Sequence, residues 1–460
     1  MKYLQLLILA YIAFTPLHAY TAEEITQNSS NFYRDDRIYE SSLDNGMRVV
    51  LIKDNRFPVV VHMIHYMSGS SQEHIYELGV ANLLSYITSE SNAISIAYKY
   101  AGLYESETRY DFTRYYQMVS KKYLSEIMDF EIARMVDGGN FDLSTFEHSK
   151  QIVLQERENL VSSNIHTSFS ELLVTALFTN HPYRFPISGW SENIENISPE
   201  NAISYFNHYY IPDNSILIIA GDIEFEPTIQ LAREKYGSIS RSLHPTANRH
   251  RKMILEPNES NRHNLSNKIS VNSDGISSHY MKHLVRIPFS SDKEKLSRAR
   301  KEMYLGVVTS ILCSNKSSYM YETLVLHEKI ASNLFCHLTY MTDYAVLTIT
   351  IHPKDGITFE DLNTSLERNI LKFIEKPIDQ DMINIFAKEL RRVMYVEKDD
   401  ILKYARVVSD LISRGYSLHD IAHMSQYLSE ESTEDNINSA KRYLLNTTQV
   451  TGYLHANHVK

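Results

Sequence analysis

The first long apolar stretches of the chain predict a pair of strands. Residues 46–66, GMRVVLIKDNRFPVVVHMIHY, hold two apolar runs separated by the turn-forming residues Asp54, Asn55 and Pro58. Apolar runs rich in β-branched residues on either side of such a turn are typical of a β-hairpin. We therefore expect the folded part of the chain to open on a hairpin.

Further along, the apolar residues recur at helical spacing. Residues 79–90, GVANLLSYITSE, predict an amphipathic helix. Its apolar stripe consists of Val80, Leu83, Leu84 and Ile87. Two more amphipathic helices are predicted at residues 121–135 and 144–160, the second with Asp142 at its N-cap. The run SILIIA at residues 215–220 predicts a short buried strand.

A polar stretch then separates two halves with a similar order of elements. Residues 241–274 are dominated by Arg, His, Asn and Ser and predict a linker. Beyond it the pattern predicts strands at 281–287, 333–340 and 345–351, and helices at 293–312, at 317–329 and between 359 and 387. We expect an N-terminal domain at residues 31–240 and a C-terminal domain at 275–460, both of α+β type.

The N-terminus has the pattern of a secretory signal. Lys2, an apolar run at residues 4–14, Pro16 and a small-residue cleavage position after Ala19 or Ala22 fit this pattern. A membrane anchor is the alternative, but crossing about 30 Å of hydrocarbon needs roughly 20 apolar residues. We expect residues 1–19 to be a signal peptide, with no membrane span after its cleavage, and the mature chain to be secreted into a bacterial periplasm.

Composition and charge narrow the functional classes. A chain of 460 residues exceeds what one core usually organises, and its 32 Tyr and 17 Phe predict a folded protein. The formal net charge of −10 argues against a nucleic-acid partner, because phosphate binding needs a positive surface. Cys313 and Cys336 are the two cysteines, and buried free thiols are favoured over a single disulfide.

Four stretches together resemble the pitrilysin/insulinase/mitochondrial-processing-peptidase family. They are LDNGMRVVLIKDNRFPVVVHMIHYMSGS, FDLSTFEHSKQIVLQERENL, HPYRFPISGWSENIENISPENAISYFNHYYIPDNSILIIAGDIEFE and SSYMYETLVLHEKIAS. The third is the most specific, because it follows the family's His-Pro-Tyr, Gly-Trp, Asp-Asn and Ala-Gly-Asp order. The resemblance implies an α+β fold of two homologous domains, each an antiparallel-rich sheet packed with helices.

The family's chemistry depends on an inverted H-x-x-E-H motif on a helix. Two histidines at i and i+4 reach one zinc ion, and the glutamate activates the metal-bound water. In this sequence the matching helix has Asn82 and Tyr86 at the histidine positions and Ser85 at the general-base position. The motif is therefore degenerate. We expect no catalytic residues at these positions and no zinc cofactor.

Other candidate ligands are few. Glu156, followed by Glu158, matches the family's distant glutamate ligand. Alone it cannot hold zinc, and a solvated helix carboxylate is the plainer interpretation of Glu156. His62, His65 and His74 lie near the predicted hairpin, but His62 and His65 differ by three positions and should face opposite sides of a strand. We expect them to be ordinary surface histidines.

The resemblance also implies an arginine and, seven residues later, a tyrosine that hold the substrate backbone. A gapless reading places Val325 and Ser332 at these positions, and a shift of two places His327 and Leu334 there. Neither pair matches. The substrate clamp is expected to be degenerate as well.

Three functions remain open on this sequence. The resemblance implies two-chain members in which one chain carries zinc, so the first is a non-catalytic partner of a zinc-bearing homologous subunit that handles extended peptides. The second is a stand-alone peptide-binding or scaffold protein. The third is an active zinc peptidase with unusual ligands. No G-x-S-x-G elbow, P-loop or Cys–His cluster supports other chemistry.

Overall fold

The computed structural model describes residues 37–89, 99–240, 267–289 apart from 277, 297–378, 380–424, 426–429, 433–445 and 447–457. The predicted signal segment at 1–19 lies outside the described residues, as do positions 241–266 of the predicted linker. We refer below to residues 37–240 as the first half and to residues 267–457 as the second half. No described helix is both long enough and apolar enough to cross a membrane.

The first half is built on a sheet of six strands. They are β1 (Ile38–Ser42), β2 (Arg48–Lys53), β3 (Val59–Tyr66), β4 (Leu103–Thr108), β5 (Thr113–Ser120) and β6 (Ser215–Gly221). Their order across the sheet is β1-β2-β6-β3-β5-β4. Neighbouring strands are antiparallel, except that β2 and β6 run parallel.

The expected hairpin at the start of the fold is wrong. β2 and β3 are the two predicted strands, but β6 lies between them and pairs with both. Every residue of β6 is buried, as expected for a central strand with apolar side chains on both faces. A turn between two apolar runs cannot reveal a third strand that inserts from much later in the chain.

Seven α-helices of the first half lie wholly within the described residues. They are α1 (Val80–Ile87), α2 (Leu124–Asp137), α3 (Leu143–Ser163), α4 (Ile165–Leu177), α5 (Ser191–Asn196), α6 (Pro199–Tyr209) and α7 (Phe225–Tyr236). The predicted apolar stripe of α1 is buried in the core that these helices form with the sheet. The predicted cap of α3 is confirmed, because the Asp142 side chain accepts a hydrogen bond from the backbone N–H of Thr145 at 2.7 Å.

Two residues fix the start of α1. Gly79 has a φ of 98°, and a Cβ there would lie 2.4 Å from the carbonyl oxygen of Ser188, so only glycine fits. The Glu73 carboxylate accepts hydrogen bonds from the backbone N–H groups of Gly79 and Ala81, both at 2.8 Å. An acceptor at this end satisfies N–H groups that the first turn of the helix leaves without a partner.

The second half is built on a sheet of five strands. They are β7 (Asn267–Ser273), β8 (Tyr280–Pro288), β9 (Ala331–Tyr340), β10 (Tyr344–Pro353) and β11 (Gln449–Ala456), in the order β7-β11-β8-β10-β9. The predicted linker at 241–274 is therefore wrong at its end, because β7 pairs in parallel with β11. Ile269 and Val271 supply the only apolar alternation in a polar stretch, so the strand was not recognised.

The described part of the second half also contains α-helices. They are α8 (Arg298–Cys313), α9 (Tyr319–Tyr321), α10 (Phe359–Glu375), α11 (Gln380–Asp399), α12 (Ile401–Ser413), α13 (Leu418–His423) and α14 (Thr433–Ala440). The helix predicted at 317–329 is α9 followed by a π-helical segment, Glu322–His327. The chain leaves that segment at Lys329, which has a left-handed φ of 56°.

The prediction of free thiols is also wrong, because Cys313 and Cys336 form a disulfide. Cys313 is the last residue of α8, and Cys336 lies on β9, which packs against α8. Their Cα atoms are 5.6 Å apart, within the range for a disulfide. The pairing depends on which face of β9 meets α8, and residue composition does not report that.

The two halves exchange helices. α4 from the first half packs on β7, β8 and β11 of the second sheet, and α12 from the second half packs on β3 and β6 of the first sheet. Leu173 and Phe169 of α4 lie in one apolar cluster with Val450 and Leu454 of β11. Each sheet therefore has one face covered by a helix from the other half.

Specific contacts hold the exchanged helices in place. Gly452 allows α4 to approach the second sheet, because a Cβ there would lie 2.5 Å from Leu173 and 2.6 Å from Phe169. On the other side, Arg114 of β5 makes an ion pair of 2.6 Å with Asp410 of α12. Each half therefore needs a helix from the other half to cover one face of its sheet.

Gly452→Ala is therefore expected to lower the free energy of unfolding by about 1–3 kcal/mol, since the added methyl group overpacks the contact with α4. Urea denaturation followed by circular dichroism measures this. Gly275→Ala is the matched control, because a Cβ there meets nothing nearer than 3.4 Å. Equal losses in the two variants would contradict the close approach of α4.

Glu73→Ala is expected to destabilise the protein by about 1–2 kcal/mol, because two N–H groups of α1 lose their acceptor. Glu73→Gln keeps an amide oxygen that can accept one of these bonds and should cost less. Thermal unfolding of the three proteins at one pH gives the ranking. A Glu73→Ala protein as stable as the wild type would show that α1 does not depend on this cap.

Candidate functional site

The three positions matched to the family's motif lie on α1, beside α3. Asn82 and Tyr86 are four residues apart on the helix and both are half-buried, whereas Ser85 is buried. The Ser85 hydroxyl donates a hydrogen bond of 2.7 Å to the backbone carbonyl oxygen of Asn82. Ser85 is therefore bonded within its own helix and does not offer its hydroxyl to a ligand.

The structure brings Glu156 to the same place. α3 packs against α1, and the Tyr86 hydroxyl donates a hydrogen bond to Oε2 of Glu156. Burial, followed by this hydrogen bond and the nearby carboxylate charge, raises the pKa of Tyr86. The phenol therefore stays protonated at neutral pH and acts as the donor. This hydrogen bond joins Tyr86, at a position matched to the motif, to Glu156, the position matched to the family's distant glutamate.

The metal-binding capacity of these four side chains is small. Glu156 is the only ordinary zinc ligand among them, and Glu158 is exposed two residues further along α3. In the described part of the chain, no group of three or more His, Cys, Asp or Glu residues is placed to hold a metal ion.

The strand histidines prove to be packing residues. His62 and His65 do face opposite sides of β3: a ring nitrogen of His62 lies 2.8 Å from the Tyr236 hydroxyl, and one of His65 lies 2.6 Å from the Ser409 hydroxyl. The expected surface position is wrong, because both are fully buried. Burial lowers the pKa of His62 to about 4 and that of His65 well below its usual value. His74 is exposed.

The positions matched to the substrate clamp lie where the π-helical segment leads into β9. Val325 is half-buried, and the Ser332 hydroxyl donates a hydrogen bond of 3.2 Å to the backbone carbonyl oxygen of His352. In the shifted register, His327 is exposed and Leu334 is buried. Neither register supplies the guanidinium and phenol that the resemblance implies.

A buried polar junction lies between the two halves, and the sequence analysis assigned it no function. A ring nitrogen of His181 lies 3.0 Å from the Asp343 carboxylate, and the Tyr183 hydroxyl donates to Asp111 at 2.6 Å. Asp111 also accepts the backbone N–H of Thr342 at 2.8 Å. Burial raises the pKa of Asp111. The His-Pro-Tyr pattern in the third matching stretch was the available signal, and it marks this junction.

Comparison with known families covers both halves. The model described as "Insulinase (Peptidase family M16)" matches residues 48–189, and the model described as "Peptidase M16 inactive domain" matches residues 196–388. The first match includes α1 and α3, and the second begins at the end of α5 and runs into α11.

Individual relatives are consistent with this family match. The chain is 22% identical over 431 residues to zinc protease PqqE of Helicobacter pylori, covering 90% of this chain and 91% of that protein. It is 23% identical over 209 residues to the probable mitochondrial-processing peptidase subunit beta of Schizosaccharomyces pombe, covering 44% of this chain and 45% of that one.

Solved structures show the same fold. A protease from Helicobacter pylori superposes with a TM-score of 0.75 at 19% identity, covering 91% of this chain and 99% of that chain. The periplasmic protease PqqL from Escherichia coli gives a TM-score of 0.72 at 14% identity, covering 92% of this chain and 48% of that chain. The expected α+β fold of two pitrilysin-like domains is confirmed, and the chain belongs to peptidase family M16.

Proposed function

We propose that this chain is the non-catalytic partner of a zinc-bearing homologue in a complex that degrades or processes peptides. The hydrogen bond between Tyr86 and Glu156 carries this proposal. It joins the two helices at the place where the family's chemistry occurs, and it keeps their packing while using the only remaining ligand position for a structural contact.

The donor set does not fit a zinc ion. Asn82 offers a neutral amide, Tyr86 a protonated phenol with a raised pKa, and Ser85 a hydroxyl that is bonded to its own helix. Zinc sites use three or four ligands drawn from thiolate, imidazole and carboxylate groups. Glu156 alone cannot supply them.

On this proposal, the chain contributes structure to the complex, and the zinc-bearing partner contributes the catalytic chemistry. Its described residues form both sheets and both exchanged helices, and the fold covers nearly the whole of the Helicobacter pylori protease structure. A relative of this chain is named as a subunit of the mitochondrial-processing peptidase, which supports a role as one member of a pair. The transfer of that role to this chain rests on family analogy.

An oxidising compartment agrees with this role. Disulfides persist in secreted and periplasmic proteins and are rare in the cytosol, and the chain pairs both of its cysteines. The N-terminal apolar run and the likeness to a periplasmic protease point the same way. We place the mature chain in the bacterial periplasm.

The purified mature chain is expected to bind less than stoichiometric zinc, because three of the four matching positions are poor donors. Elemental analysis after purification without chelators measures the zinc content. The triple variant Asn82→His, Ser85→Glu and Tyr86→His restores the motif on an unchanged helix and should gain zinc, which makes it the matched positive control. One zinc per wild-type chain that is lost in Glu156→Ala would overturn the proposal.

Co-expression with a zinc-bearing M16 homologue from the same organism is expected to give one complex in size-exclusion chromatography. That complex should cleave an unstructured peptide faster than the homologue alone, while this chain alone should not cleave it. A homologue whose motif glutamate is changed to glutamine should still assemble but lose activity, because the chemistry belongs to the partner.

The absence of a complex would contradict the partner role. If the chain stays monomeric when mixed with the homologue and leaves its rate unchanged, the partner role is wrong. The stand-alone peptide-binding role would then lead. Chelator-sensitive cleavage by the chain alone would instead favour an active peptidase with unusual ligands.

A further inference from the structure

Two histidines lie one helical turn apart on α13. His419 is the second residue of this helix and His423 is its last. A spacing of four residues places both side chains on the same side of a helix. The centroids of the two imidazole rings are 4.1 Å apart, and the ring planes are tilted by 33°. His419 is exposed and His423 is half-buried, so the pair is accessible to a small ligand from solvent.

A hydrogen bond decides which nitrogen of His423 is free to bind. Nδ1 of His423 lies 2.8 Å from the backbone carbonyl oxygen of His419. A carbonyl oxygen only accepts, so Nδ1 carries the proton and donates, and in the neutral ring Nε2 keeps its lone pair. Histidines that bind metal ions commonly donate their other ring N–H to a backbone carbonyl, because that bond fixes the tautomer and orients the ring.

The carboxylate between the two histidines is used by the helix itself. Oδ2 of Asp420 accepts hydrogen bonds from the backbone N–H of Ser417 at 2.9 Å and from its hydroxyl at 2.7 Å. Oδ1 accepts the Tyr427 hydroxyl at 2.7 Å. Asp420 is therefore held in the helix cap rather than bonded to either imidazole. Its negative charge in the same helical turn favours a cation nearby.

The remaining ring nitrogens have no competing partner in the described part of the chain. The ring of His419 makes no hydrogen bond there, and the bond of His423 to the carbonyl oxygen leaves its Nε2 free. The pair thus offers two neutral nitrogen donors on neighbouring side chains. It is a smaller set than the three groups that a closed metal site requires, which agrees with the absence of such a group among the described residues.

The donor type selects the ion. Imidazole nitrogen suits zinc, copper and nickel, whereas calcium and magnesium prefer oxygen ligands. Two histidines at i and i+4 on one helix face are also the spacing by which H-E-x-x-H helices bind zinc. A metal held here would keep several coordination positions for water or for a ligand from another molecule.

We propose that His419 and His423 chelate one divalent ion of the zinc, nickel or copper class on the surface of the second half. This site lies on a different helix, in the other half of the chain, from the positions matched to the zinc motif. It is independent of the proposed partner role. Because Asp420 is held in the cap, the site binds an ion and has no general base of its own.

A site of this kind is compatible with a purified chain that holds less than stoichiometric zinc. Two protein ligands bind an ion more weakly than the three or four of an ordinary zinc site, so the ion exchanges during purification and has to be added back. The two sites are told apart by substitution. Metal that is lost in Glu156→Ala belongs to the motif positions, and metal that is lost in His423→Gln belongs to this pair.

The test titrates the full mature chain, in its oxidised form, with nickel chloride in an isothermal calorimeter. The wild type is expected to bind one nickel ion at least about tenfold more tightly than His419→Gln or His423→Gln, because the second bond of a chelate forms at a high effective concentration. For the same reason the double variant should bind no more weakly than either single variant. Magnesium chloride should give no comparable binding.

Two exposed histidines elsewhere supply the matched controls. His74→Gln and His327→Gln each remove one exposed imidazole and should leave the nickel affinity unchanged. Thermal unfolding checks that every variant folds. With added copper(II), electron paramagnetic resonance should show hyperfine splitting from two nitrogen ligands in the wild type and from one in either site variant. A purely structural role for the two rings would not change that spectrum.

Nickel affinity that survives in both His419→Gln and His423→Gln would overturn the inference and leave the rings as a stacked pair only. An equal loss in the two control variants would do the same, since it would show general binding to surface histidines. Neither result bears on the partner role, which is measured by complex formation with the zinc-bearing homologue.

Discussion

The exchange of helices between the two halves is the constraint on which the rest of the structure depends. A sheet with apolar residues on both faces must have both faces covered, and here α4 and α12 each cover the sheet of the other half. Gly452 is shaped by this requirement, and so are the contacts that Ser409 and Asp410 make with the first sheet. The halves resemble separate domains in sequence, but neither can form a complete core alone.

The residues that hold α1 in place differ from the residues at the positions matched to the zinc motif. α1 is held by its buried apolar stripe, by Gly79 and by the Glu73 carboxylate, none of which is a ligand position. Asn82 and Tyr86 lie outside this apolar stripe, and Tyr86 keeps a packing contact with the core and a hydrogen bond to Glu156 on α3. A chain can therefore lose the family's motif and keep the helix, its position and its neighbour α3.

Local patterns in the sequence predicted the local elements well. The apolar spacing of α1 and the runs of β2 and β3 were sufficient because their periods are contained in short segments. The insertion of β6, the mostly polar β7 and the disulfide depend on residues far apart in the chain, and no local period encodes them. At the site, the resemblance named both α1 and Glu156, and the hydrogen bond that joins them through Tyr86 became visible only in the structure.

The part of the sequence that most resembles the family explains why the resemblance persists. His181 and Tyr183 bond to Asp343 and Asp111 at the junction of the halves. A buried carboxylate such as Asp111 is costly unless every donor around it is kept, so this junction tolerates little change. A subunit whose role is structural would retain it after its catalytic positions had diverged.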